Sequence, residues 1–255
     1  MLIRRAKRAV LLALGLTIFA SHAELPPERP LVVAVAANFA DTAAYLAARF
    51  TEKTGVPVRL IMGSTGLLTA QISQGAPIDL FLAADTERPQ SLITKNLVMD
   101  QSYAIYARGR LVLWVPGVVE PPNLADFMAG FDTVAIANPV LAPYGRAASE
   151  VLARFPEKSQ ALRVVRGQNT SATYTQIASR SVPGGFVALS QVLAQGVPRV
   201  EYMVVPENWH EPIEQAMVLI KGRAIHPAGQ PFRDFLLSEK TSVMLSSLGY
   251  LVGGG

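Results

Sequence analysis

The feature that most restricts the fold is an alternation. Short apolar, β-branched runs of strand length stand at 31–36 (LVVAVA), 58–62 (VRLIM), 79–84 (DLFLAA), 133–137 (TVAIA), 163–165 (RVV), 185–189 (GFVAL) and 202–206 (YMVVP). Between them, small and apolar residues recur at helical spacing. Ala43, Ala44, Ala47 and Phe50 make one such stripe, closed by Gly55, and a second helix over 67–74 stops at Gly75. Strand and helix in repeated order predict an α/β fold of doubly wound parallel sheets, which take ligands at the carboxyl ends of their strands.

Two passages divide this plan into two lobes. YAIYARGRLVLWVPG (103–117) is too long for one ordinary strand and predicts a chain that leaves one sheet near Arg108 and enters another. A return is expected within 206–222, where AMVLIKG follows a polar, proline-bearing stretch. The expected organisation is a first, discontinuous lobe of 24–109 plus 213–255 and a second lobe of 110–212. The two crossings lie near 108–111 and 212–218. No internal sequence repeat is visible.

Residues 1–23 read as a cleaved secretory leader. Arg4, Arg5, Lys7 and Arg8 precede an apolar run too short to span a bilayer, and Ser21-His22-Ala23 ends it with small residues at the cleavage positions. The leader holds four of the 23 basic residues and none of the 19 acidic ones, so the remainder carries 19 of each sign. The net charge of +4 is therefore no sign of nucleic-acid binding. The chain has no cysteine, which excludes disulfides, thiolate metal sites, a cysteine nucleophile and a lipid anchor on cysteine. A leader without an anchor points to the periplasm. His210 and His226, the histidines beyond the leader, have no metal-ligand spacing.

Four segments share one design, a strand end followed by small or polar residues where a helix begins: AANFADT (36–42), GSTG (63–66), NPVLAPYG (138–145) and GQNTSAT (167–173). Helix N-termini carry unpaired N–H groups and about half a positive charge each, so several aimed at one point form an anion site without a cationic side chain. Gly63 and Gly66 are expected to let the backbone approach the ligand. Any one of these segments alone is an ordinary helix cap; four at the functional edge of the sheets suggest a site. A serine hydrolase using Ser64 fits poorly, because the G-x-S-x-G elbow is missing and only His210 or His226 could serve as base. Asp79 and Asp85 flank a strand as caps or turn residues, and no phosphate-binding G-x-x-x-x-G-K-[ST] loop occurs.

VAVAANFADTAAYLAARFTEKTGVPV, GSTGLLTAQISQGAPIDLFLAADTERP, ANPVLAPYG and GGFVAL, in this order, closely resemble the periplasmic molybdate-binding proteins of ABC transporters. QGAPIDLFLAAD is the most specific piece. The resemblance implies two lobes of the type II periplasmic-binding fold closing on tetrahedral molybdate or tungstate, held by hydroxyls and main-chain N–H groups. By position, it implies contacts from Ala37 and Asn38, from Thr65 with its neighbour Ser64, from the Tyr144 phenol, and from the main chain at Thr170. It further implies a monomer that docks transiently on a membrane permease driven by an ATPase, with no cofactor, no cation ligands and no catalysis. Relatives often have serine at position 65, threonine at 37, an aliphatic residue at 170 or tyrosine at 188, so the donor set here is altered.

A fully deprotonated oxyanion presents only acceptors and matches a pocket of donors. Sulfate is also acceptor-only. A small carboxylate, which binding proteins clamp with arginine, is a third ligand class, with Arg146 and Arg166 beside the loops.

Overall fold

A computed structural model describes residues 29–120, 122–222 and 225–252. The leader over 1–23 lies outside the described residues. The strands among them are β1 (Leu31–Ala36), β2 (Val58–Gly63), β3 (Leu80–Leu82), β4 (Ala104–Gly109), β5 (Leu111–Trp114), β6 (Thr133–Ala137), β7 (Arg163–Gly167), β8 (Gly185–Ala188), β9 (Tyr202–Val204) and β10 (Ile213–Leu219). The helices are α1 (Ala40–Thr54), α2 (Thr65–Ser73), α3 (Glu87–Thr94), α4 (Leu124–Gly130), α5 (Pro143–Ala153), α6 (Pro156–Ser159), α7 (Thr170–Ala178), α8 (Leu189–Ala194), α9 (Gly229–Leu237) and α10 (Glu239–Ser247).

The strands form two sheets, ordered β2-β1-β3-β10-β4 and β7-β6-β8-β5-β9. β1 shows why these apolar runs are strands. All six of its residues are buried; Leu31, Val33 and Val35 enter one core with Phe50 and Phe232, while Val32 and Ala34 enter another with Leu68 and Phe81. A strand covered on both faces reads as a continuous apolar run whose alternate residues serve two cores. α1 ends where glycine permits the left-handed turn, with Gly55 at φ 73° donating its N–H to the Thr51 carbonyl.

The expectation of parallel sheets needs correction. Four strands of each sheet share one direction, but β10 runs antiparallel to β3 and β4, and β5 runs antiparallel to β8 and β9. These two strands are the ones that arrive from the other sheet. A single residue, Arg110, separates β4 from β5, so β5 enters at the edge where the parallel strands finish and must run backwards. The return crossing is also displaced. Residues 213–219 form a full strand of the first sheet, so the chain changes sheets between β9 and β10, upstream of the expected 212–218. In both sheets the incoming strand lies fourth in the order, a repeat of topology without repeat of sequence. Residues 103–117 divide as expected, β4 in the first sheet and β5 in the second.

Candidate functional site

The carboxyl ends of β1, β2, β6 and β7 lead into the four polar segments, and the fold converges them. Ala37 and Asn38 occupy a 3-10 turn between β1 and α1. Ser64 is the N-cap of α2 and Thr65 its first residue. Tyr144 follows Pro143 in the first turn of α5, and Thr170 opens α7 behind its cap Asn169. All six candidate residues (Ala37, Asn38, Ser64, Thr65, Tyr144 and Thr170) line one small pocket, together with Ala36, Ala84, Ala142, Pro143 and Asn169. It is small, with room for no more than a compact ligand. No charged side chain lines it. Its positive potential comes from the helix starts, whose leading N–H groups have no intrahelical partners.

Three of the four hydroxyls that line it accept from a protein N–H. Ser64 Oγ accepts from Leu67 N at 3.4 Å, and Thr65 Oγ1 accepts from Ala84 N at 3.3 Å. Tyr144 Oη accepts from Gln215 Nε2 at 3.4 Å. Burial, and then the neighbouring Tyr250, hold the Tyr144 phenol well above the ordinary tyrosine range; side-chain hydrogen bonds from Asn38 and Gln215 oppose this. The phenol is therefore a protonated donor at neutral pH.

Beneath the pocket lies a buried polar network that the sequence did not reveal. Gln215 on β10 is 0 % exposed, and its Oε1 accepts from Asn38 Nδ2 at 3.0 Å and from Tyr106 Oη at 3.1 Å. Tyr250 Oη and Ser190 Oγ both donate to the Asn38 carbonyl, and Ser171 Oγ donates to that of Ala37. A β-bulge builds this arrangement. Gln215 pairs with Ala107 but Ala216 pairs with Ile105, so Tyr106 is an extra residue in β4. Tyr106 and Ala107 are consequently buried side by side, where a regular strand would alternate. The available sequence signal was a lone glutamine and two tyrosines near apolar runs.

The two sheets' loops touch directly around the site. Gly66 N donates to the Leu141 carbonyl at 2.9 Å, and Arg88 Nη2 donates to that of Val140 at 2.6 Å. Arg88 also forms an ion pair with Asp85, so the carboxylate next to pocket-lining Ala84 is neutralised. The two glycines of GSTG do not serve ligand approach as expected. A Cβ on Gly63 would meet the Leu68 side chain at 3.2 Å, and one on Gly66 would meet Leu141 Cα at 3.2 Å. Both make room for protein. Gly109, at the first crossing, is more restrictive, since a Cβ there would lie 2.0 Å from Tyr144 Oη.

The rival chemistries find little support in this geometry. Arg146 pairs with Glu87 at 3.0 Å outside the pocket, and Arg166 lies exposed on β7. No histidine lines the pocket with Ser64, and His210 bonds to the Glu211 carbonyl through Nδ1. Asp79 accepts from Val32 N and pairs with Arg29, while Asp85 caps α3 through Arg88 N.

Comparison with known proteins agrees with this architecture. Residues 31–251 match the family model described as bacterial extracellular solute-binding protein. The chain is 35% identical to the molybdate-binding protein ModA of Rhodobacter capsulatus, over 98% of this chain and 96% of that one. It is also 35% identical to the ModA of Azotobacter vinelandii, over 94% and 96%. The solved structure of the Azotobacter vinelandii periplasmic molybdate-binding protein superposes with a TM-score of 0.83 at 31% identity, covering 88% of this chain and all of that one. In sequence, topology and the placing of its pocket between two sheets, the chain belongs to the bacterial extracellular solute-binding proteins.

Proposed function

We propose that this chain binds molybdate, and tungstate with it, in the periplasm and delivers the anion to the membrane permease of an ABC transporter. The observation that carries the reading is a small pocket with no charged side chain, formed by hydroxyls and helix starts from both sheets. An acceptor-only dianion matches these donors, whereas a carboxylic or phosphoric O–H would find no carboxylate in the lining to accept it. The names of the 35% identical relatives select molybdate among such anions.

In this reading 24–109 plus 213–255 and 110–212 are the closing lobes. Ala37, Asn38, Ser64 and Thr65 contribute from the first, Tyr144 and Thr170 from the second. A ligand that touches both favours the closed state by its differential affinity. The protein acts as a monomer without cofactor, cation or catalysis, and residues 1–23 direct its export. Among the described residues no helix is long and apolar enough to cross a membrane.

Calorimetric titration of residues 24–255 with molybdate, tungstate, sulfate and phosphate tests the proposal. One-to-one binding of the first two, weaker binding of sulfate and the weakest, at millimolar titrant, of phosphate is expected. Preferential binding of sulfate would overturn the assigned ligand, and no binding of any oxyanion would overturn the site.

A further inference from the structure

Three of the pocket's hydroxyls, those of Ser64, Thr65 and Tyr144, share a geometry that turns their protons away from the groups that donate to them. A hydroxyl has one proton to donate and lone pairs to accept with. In Ser64, Thr65 and Tyr144 an accepting position is taken by a protein N–H, from Leu67, Ala84 and Gln215 respectively. Two of these donors are main-chain groups, fixed by the start of α2 and the end of β3. The third is a side chain, and it is itself oriented. Gln215 Oε1 accepts from Asn38 Nδ2 and shares the Tyr106 proton with the Ala83 carbonyl, which turns Nε2 toward Tyr144.

From this we infer that Gln215, which does not line the pocket, is a positioning residue that makes Tyr144 a donor and thereby sets selectivity for fully deprotonated oxyanions. The inference rests on the oxyanion reading of the pocket and adds to it the residue that enforces polarity on the second sheet's side. The chain of contacts runs from Tyr106 through Gln215 to Tyr144, and from β4 and β10 of one sheet to α5 beside the other. The same amide therefore ties the orientation of Tyr144 to the approach of the two sheets. With Gln215 Nε2 absent, Tyr144 Oη regains a free lone pair and can accept a proton from an anion that carries one. Discrimination against hydrogenphosphate falls along with affinity for molybdate.

The experiment is a double-mutant cycle read by calorimetry at pH 7.5. Wild type, Gln215→Met, Tyr144→Phe and the double variant are each titrated with molybdate and, separately, with inorganic phosphate. Gln215→Met is expected to weaken molybdate about tenfold, which is about 1.4 kcal/mol. It is expected to narrow the molybdate-to-phosphate ratio by at least that factor, and to cost clearly less once Tyr144 is phenylalanine, the remainder being the freed Asn38 amide. A merely structural role would cost the same in both backgrounds and leave the ratio unchanged, and that result overturns the inference. Tighter molybdate binding in Gln215→Met would also overturn it, since the Tyr144 proton would then have been pointing at the amide.

If Gln215→Met fails to fold, Tyr106→Phe answers the same question without touching the pocket. It releases one of the two donors on Oε1 and is expected to weaken molybdate about threefold, an effect absent beside Tyr144→Phe. Equal losses in both backgrounds overturn the inference here too. Wild-type binding accompanied by equal losses rejects the role of Gln215 alone. A wild type that gives no heat with either anion rejects the oxyanion reading, and the inference with it.

Discussion

Gly66→Ala separates closure of the lobes from both folding and ligand contact. Gly66 does not line the pocket, and it is not among the glycines with positive φ, so α2 can accept alanine there. Helix propensity favours alanine over glycine by up to about 1 kcal/mol, and less in a first turn. The open form should therefore be as stable as wild type or slightly more so. Closure is different. The new Cβ would stand 3.2 Å from Leu141 Cα and 3.3 Å from its carbonyl oxygen, against backbone that cannot rotate aside. The 2.9 Å bond from Gly66 N to that oxygen would have to lengthen. Losing this bond and the close packing around it costs the closed state about 1–2 kcal/mol. When the free lobes stand apart, the whole cost appears in the ligand affinity, as a Kd raised about 5- to 30-fold. Calorimetry with molybdate gives the Kd, thermal melting of the ligand-free protein gives the stability, and small-angle scattering with saturating ligand gives the compactness. A Kd within twofold of wild type would refute the argument, because positions 66 and 141 would then not meet in the bound state. Affinity and melting temperature falling together would also refute it, as general damage to the lobe.

Thr65→Ala removes a pocket hydroxyl and leaves the Ala84 N–H without its partner; molybdate affinity is expected to fall about 10- to 150-fold by calorimetry, the range for a hydrogen bond to a charged group. Arg146→Ala is expected to change affinity less than threefold, because its guanidinium pairs with Glu87 outside the pocket; a hundredfold loss would restore the arginine-clamp reading. The pH dependence follows from Tyr106, Tyr144 and Tyr250, whose phenols burial raises above the ordinary value. The stability they contribute is fully present below pH 10, the unfolded value, and is lost above it by up to about 1.4 kcal/mol per pH unit for each tyrosine. Urea unfolding between pH 8 and 11 should show this fall, and phenolate absorbance should find at least three of the seven tyrosines silent near pH 10. Ordinary titration of all seven would contradict it.

How much of this was legible in the sequence depends on the range of the interactions involved. β1 could be read because a strand buried on both faces needs an unbroken apolar run, and the end of α1 because a left-handed cap needs glycine. The first crossing was legible at 108–111 because no single strand absorbs fifteen extended residues. The polar loops that line the pocket were legible for a similar local reason, since capping residues must follow strands that end at a helix. The second crossing was misplaced because the apolar run 216–220 does not say which sheet it joins, and Glu214 and Gln215 mask the start of its strand.

By itself, then, the sequence determined the alternation of elements and the kinds of group at their junctions, because propensity, capping and hydrophobic periodicity act over a few residues. Only the tertiary structure decided which way the fourth strand of each sheet runs and what the glycines at 63, 66 and 109 make room for. It alone joined Asn38, Tyr106, Tyr144 and Gln215 into one network. Those residues are separated by up to 177 positions between Asn38 and Gln215. Their pairing depends on a bulge and on the contact of two sheets, which no local pattern records.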